Sequence, residues 1–134
     1  MEHHFVIDTS VFLTYASYGK IYRMDNAVKL YELIVYVNDE LLNELERNIF
    51  KMLLYDGANT TMVIRSIMEF VTYFETIPTY LNSPDPKDNF LFDLALQSKS
   101  EVIVTKEKVL LNFTESPVPI HDIKWFKEKY PVQL

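Results

Sequence analysis

Four acids stand just past short apolar runs or turn residues. Asp8 follows Phe5-Val6-Ile7, and Glu44 lies shortly after Leu33-Ile34-Val35-Tyr36-Val37. Asp88 follows Ser83-Pro84-Asp85-Pro86, and Glu107 comes soon after Val102-Ile103-Val104. If the fold gathers them, they repel: two carboxylates about 5 Å apart do so by roughly 3 kcal/mol at an effective dielectric of ~20. Such a cluster must bind either protons or a cation. Oxygen donors select hard ions, Mg²⁺ or Mn²⁺, which keep several waters and take phosphate oxygens readily. One or two such ions can activate water for in-line attack on a phosphodiester, the reaction this chemistry suits best. Each acid also has an ordinary reading. Asp88 and Glu107 suit helix caps and macrodipole partners. Glu44, roughly 145° from the centre of its helix's apolar stripe, suits a solvated position. Asp8 is hardest to dismiss, because an acid directly after a buried strand is uncommon.

Composition removes the competing chemistries. Gly19 and Gly57 are the only glycines, so neither a dinucleotide fingerprint nor a phosphate-cradling loop can be built. No cysteine is present, which excludes disulfides, thiolate metal sites and thiol nucleophiles. His3, His4 and His121 are the only histidines, and the first two read as solvated terminal residues. Carboxylate is what remains in quantity: 19 Asp and Glu against 13 Lys and Arg, a net charge of −6.

The elements that must position these acids are short. The 134 residues suit one domain over 1–134. Strands are expected at 5–7, 33–37 and 102–104, with weaker edge strands at 76–80 and 118–120. Ser10 reads as the cap of a first helix that stops near Gly19, and a second helix is expected from Asp25 to Glu32. Asn38 or Asp39 caps the longest, about Asp39 to Leu54, whose inward stripe is Leu42, Leu45, Ile49 and Leu53. Another is expected from Thr61 to Phe74, with Ile64, Ile67, Met68, Val71 and Phe74 inward. Lys87 or Asp88 opens the next, a short one covers 107–111, and 122–130 closes the chain. Strands that are continuous apolar runs and alternate with helices indicate a short parallel sheet of four or five strands covered on both faces, an α/β/α sandwich. In open α/β sheets, ligand sites lie at the carboxyl ends of the strands, the edge where the four acids fall. No apolar run approaches the ~20 residues that span a bilayer, and no signal peptide is visible, so a cytoplasmic protein is expected.

At these residues the sequence resembles the PIN-domain family of metal-dependent ribonucleases, particularly its VapC-like toxin branch. Phe5-Val6-Ile7-Asp8-Thr9-Ser10-Val11 is similar to the family's opening strand and motif. Leu41-Leu42-Asn43-Glu44-Leu45 is similar to the second motif, and Asp85-Pro86-Lys87-Asp88-Asn89-Phe90-Leu91 to the third. Val102-Ile103-Val104-Thr105-Lys106-Glu107-Lys108 resembles the fourth. The resemblance implies that Asp8, Glu44, Asp88 and Glu107 hold Mg²⁺ or Mn²⁺ and catalyse, with Thr9, Ser10, Asn89 and Thr105 in support. Asp85 fits the third motif and equally a turn. RNA cleavage leaving a 5′-phosphate and a 3′-hydroxyl, a cognate antitoxin and a homodimer are implied as well. Two departures stand out: Glu107, preceded by Lys106, replaces the commoner Asp, and Val109 occupies the place of a later acid.

An acidic chain needs local cations to hold RNA. Lys87, Lys106 and Lys108 flank the acids, and Lys20 and Arg23 follow the first helix; these are expected on the phosphate backbone. A non-catalytic module of the same fold, binding RNA or a protein, is the alternative. A phosphoryl-transfer sheet of the receiver-like or haloacid-dehalogenase-like kind is less apt. The latter's usual nucleophile motif has a second Asp where Ser10 stands.

Overall fold

The computed structural model describes residues 1–132. The chain runs β1 (His3–Ile7), α1 (Thr9–Ser17), α2 (Ile21–Leu30), β2 (Leu33–Val37), α3 (Asp39–Met52), α4 (Gly57–Met68) and β3 (Val71–Tyr73). It continues through a 3-10 turn (Pro86–Asp88), α5 (Asn89–Gln97), β4 (Val102–Val104), α6 (Lys108–Leu111), β5 (Ile120–His121) and α7 (Ile123–Lys129). The five strands form one parallel sheet in the order β3-β2-β1-β4-β5. Helices cover both faces, giving the expected α/β/α sandwich. Val6, Ile7, Val35, Val37, Ile103 and Val104 are fully buried, as apolar runs in the middle of a covered sheet must be. Alternate residues of β1 face opposite layers. Phe5 meets Trp125, Phe126 and Tyr130 of the α7 region edge-on at 6.2, 6.4 and 5.5 Å, while His4 stacks on Tyr36.

The strand order has one reversal. From β1 the chain moves outward to β2 and β3, then crosses back to β4 on the other side of β1. The connections leaving β1 and β4 therefore diverge at their carboxyl ends, the place where such sheets carry ligand sites.

Several expectations are corrected. The helix expected over 61–74 is shifted: Asp56 caps it, accepting from the Asn59 N–H at 3.0 Å, and it ends at Met68. Val71, Thr72 and Tyr73 instead pair with Val35, Tyr36 and Val37 as the third strand. Val71 and Phe74 continue the helical spacing, but β-branched and aromatic residues fit a pleated edge better once β2 offers its hydrogen bonds. Met68, expected inward, is exposed at the helix end. Residues 76–80 form no strand. The N–H groups of Thr79 and Tyr80 donate to the Asp93 carboxylate at 3.1 and 2.8 Å, and Pro78 has none to offer. On α3 the fully buried stripe is Leu41, Leu45 and Ile49, with Leu42 and Leu53 partly buried at its margin. Helix α2 starts at Ile21 rather than Asp25, and α1 starts at Thr9 with Asp8, not Ser10, in the capping position. His3 and His4 belong to β1 and are half-buried rather than loosely solvated. The last strand is Ile120–His121, a register shift from 118–120.

Candidate functional site

Asp8 lies at the carboxyl end of β1, 2 % exposed. Its N–H donates to the Val104 carbonyl at 2.8 Å, which ties it to the end of β4. Burying a carboxylate requires donors. Here they are the hydroxyls of Ser10 and Thr105, each 2.8 Å from Oδ2. Both go to the same oxygen and leave the lone pairs of Oδ1 unused by either. Thr105 is fully buried and also accepts the Glu107 N–H at 3.1 Å, while Ser10 accepts the Lys106 N–H at 3.1 Å. The two hydroxyls thus lock the β1–α1 and β4–α6 junctions together around Asp8.

Asp88 is half-buried at the capping position of α5, and Glu107 is more exposed at that of α6. Neither side chain caps its own helix, so the cap reading is not what holds them there. Burial first, then the charges of Asp8, Asp85 and Glu44, push the Asp88 carboxyl up to about 6, while a hydrogen bond shared with Glu107 pulls the other way. Partial burial, then Asp8, Asp88, Glu44 and Asp85, push Glu107 up to about 7. Asp88 and Glu107 each therefore lie within electrostatic reach of Asp8 and Glu44. Glu44 is half-buried on α3, three residues beyond Leu41, rather than freely solvated.

Among the described residues, ion pairs within 4.0 Å involve Glu32, Glu101, Asp25 and Glu128, and none reaches the four site acids. Lys106, the nearest candidate to neutralise them, turns its Nζ to Thr14 Oγ1 at 2.7 Å instead. Nor do three Asp, Glu or His side chains among the described residues stand as a ready-made metal ligand set. The donors present are hard carboxylate oxygens with no counter-charge within 4.0 Å among the described residues, the chemistry a divalent cation takes, and their spacing is not that of a closed ligand set.

The supporting residues divide. Ser10 and Thr105 touch Asp8 directly. Asp85 caps the 3-10 turn, accepting from the Lys87 N–H at 3.0 Å, and Asn89 Oδ1 accepts from the Ser83 N–H at 3.0 Å. Both shape the loop that carries Asp88. Thr9 is buried with its hydroxyl unpartnered, away from the hydrogen bonds on Asp8. Lys87 and Lys108 are exposed beside Asp88 and Glu107 in the chain, whereas Lys20 and Arg23 gather near Thr14 and Tyr15. Two residues escaped the sequence reading. Asp93 is buried and holds the 79–80 backbone; an acid inside the apolar run Phe90–Leu96 was the available signal. Lys127, from the far end of the chain, carried no signal at all.

A parallel sandwich with acids at the carboxyl edge of its central strands is common to nuclease-type and phosphoryl-transfer folds. The PIN domain matches residues 4–108, a span that contains all four acids, and the chain belongs to the PIN-domain family. Its fold is similar to that of PAE2754 from Pyrobaculum aerophilum, with a TM-score of 0.67 at 18% identity, covering 98% of this chain and 91% of that one. It is also similar to a domain of a functionally unknown protein from Methanocaldococcus jannaschii DSM 2661, with a TM-score of 0.59 at 19% identity, covering 90% and 91%. No curated protein matches the sequence. Among the described residues no helix is long and apolar enough to cross a membrane.

Proposed function

We propose that the protein is a Mg²⁺- or Mn²⁺-dependent endoribonuclease. Asp8 and Asp88 are its principal ligands, and Glu44 and Glu107 complete the set or orient water. The observation that carries this reading is that Asp88 and Glu107 lie within the field of Asp8 and Glu44 while, among the described residues, no cation pairs with any of the four. A divalent ion supplies Lewis acidity and a more acidic water. The chain supplies the rest. Ser10 and Thr105 fix one oxygen of Asp8, and Asp88 and Glu107 would hold the ion in their ionised forms. Lys87 and Lys108, exposed beside Asp88 and Glu107 in the chain, would meet phosphate. Asp8→Asn keeps a carbonyl oxygen for both hydroxyls but removes the charge, so it should abolish Mn²⁺-dependent RNA cleavage while melting like the parent. Undiminished cleavage by that variant refutes the assignment.

The reading extends to a cytoplasmic toxin whose cognate antitoxin covers the acids, and to a homodimer. Exposed Tyr22, Leu54, Tyr55 and Met62 offer apolar surface for such contacts. A second reading, a non-catalytic module that binds RNA or a protein, is favoured by the exposure of Glu107 and the lack of a preformed ligand set among the described residues. Mn²⁺ titration separates the two, because a module without a metal site shows no saturable shift in melting temperature.

A further inference from the structure

Along α1 from the acids the sign of the charge reverses. Thr14, Tyr15, Tyr18, Lys20, Arg23 and Lys127 line a cavity of about 240 Å³. The end of α1 builds it. Gly19, at φ 64°, permits the tight turn in which the Gly19 N–H meets the Ala16 carbonyl at 3.0 Å and the Lys20 N–H meets that of Tyr15 at 2.8 Å. This brings the start of α2, with Lys20 and Arg23, back beside Tyr15 and Tyr18. Lys127 enters from α7 with Nζ 5.5 Å from the centre of the Tyr15 ring. Lys106 closes the side nearest the acids through its bond to Thr14.

Three observations point to an anion. Lys20, Arg23, Lys106 and Lys127 share one face of a chain whose net charge is −6, and among the described residues none lies within 4.0 Å of a carboxylate. Among the described residues the buried Arg23 Nε has no hydrogen-bond partner, a costly state that an arriving acceptor relieves. Burial pushes the Tyr15 hydroxyl up and the Arg23 charge pulls it back, so the phenol and the guanidinium share the pocket. Tyr18, 74 % exposed, stands at the rim as an uncovered aromatic face. The pocket also has a definite offset from the acids. Thr14 Oγ1 bonds the Ser10 carbonyl one helical turn back, and the Ser10 hydroxyl rests on Asp8. One to two turns of α1 separate the two sites, about 5–11 Å. At roughly 3.4 Å per stacked nucleotide this is a span of about two to three nucleotides.

We propose that this pocket seats a backbone phosphate of a single-stranded RNA a few nucleotides from the bond presented to the acids, with Arg23, Lys20 and Lys127 on the phosphate and Tyr18 stacking a base. The identity of the strand rests on the nuclease reading; the anion site does not. Basic grooves interleaved with aromatic faces are how proteins hold single strands without reading sequence.

The test is binding of a fluorescent single-stranded RNA oligonucleotide in metal-free buffer at several salt concentrations. The variants are Arg23→Gln, the surface pair Lys20→Gln with Lys127→Gln, and Tyr18→Ser. Melting curves establish that each folds, and the surface pair keeps the test decisive if Arg23→Gln does not. The lysine pair should weaken binding about tenfold at low salt and reduce the slope of log K against log salt by about 1.4, since each lost phosphate contact removes about 0.7. Tyr18→Ser should weaken binding about fivefold with the slope unchanged. Wild-type affinity and slope in the lysine pair overturn the pocket, as does a wild-type protein that binds no RNA. An acidic peptide that competes as well as the RNA overturns the assignment to RNA. Binding that follows the expected pattern without Mn²⁺-dependent cleavage overturns the nuclease reading and leaves the pocket standing. Cleavage by a wild-type protein whose variants bind unchanged removes the pocket alone.

Discussion

Thr105 has no exposed atom to offer a ligand, yet its hydroxyl both donates to Asp8 and accepts from the Glu107 backbone. Thr105→Val keeps the shape, leaves a buried carboxylate one donor short and leaves an N–H unpaired. Hydrogen bonds to charged groups are worth about 1.5–3 kcal/mol. Urea denaturation of this variant should show a loss of that order, and an unchanged midpoint would mean that the bond contributes nothing in solution. The raised carboxyls make a pH prediction. Asp88, ordinarily near 3.8, and Glu107, ordinarily near 4.5, titrate at about 6 and about 7 in the folded protein. Over that interval the folded state holds protons that the unfolded chain has released, so stability falls as pH rises. The penalty is absent where both states are protonated and complete above about pH 7. The metal-free protein should therefore melt lower at pH 8 than at pH 5, and Asp88→Asn should flatten the difference. At this scale the sequence singled out Asp8 as an acid at the end of a buried strand, where the structure has it, but could not distinguish Ser10 from Thr9. Both are hydroxyl residues next to Asp8, and only the direction of the side chain assigns one to the carboxylate.

Elements bring the acids within range. Asn38, 1 % exposed, caps α3 by accepting the Leu41 N–H at 3.0 Å and donates to Thr76 Oγ1 at 3.1 Å. It thereby sets the helix that carries Glu44 and anchors the irregular segment after β3. Asn38→Ala should cost about 1–2 kcal/mol by the cap alone. A larger loss, measured by thermal denaturation, is expected because the tether to Thr76 goes with it. That cap was legible, since a polar residue between an apolar strand and an amphipathic helix has few other uses. Strand β3 was not. Its three residues continue the spacing of α4, and only the free edge of β2 makes them a strand.

For the whole molecule, strand order decides where chemistry can occur. Because the strand order reverses at β1, the carboxyl ends of β1 and β4 lie side by side with Asp8 and the segment leading to Glu107, and α3 and α5 carry Glu44 and Asp88. A cation that binds there and not to the unfolded chain stabilises the protein by mass action, about 2.7 kcal/mol at a hundredfold excess over Kd. Millimolar Mn²⁺ should raise the melting temperature of the parent in a saturable way and leave that of Asp8→Asn unmoved. An equal shift in both would place the ion elsewhere.

The alternation of strands with helices and the lack of thiol and glycine-loop chemistry were determined by local sequence. Apolar period, capping residues and composition are properties of neighbours in the chain. The pairing of β3, the burial of Asp93 and the basic pocket completed by Lys127 were decided only by tertiary structure. Each depends on a partner dozens of residues away, and no local preference encodes which distant surface a short segment will meet.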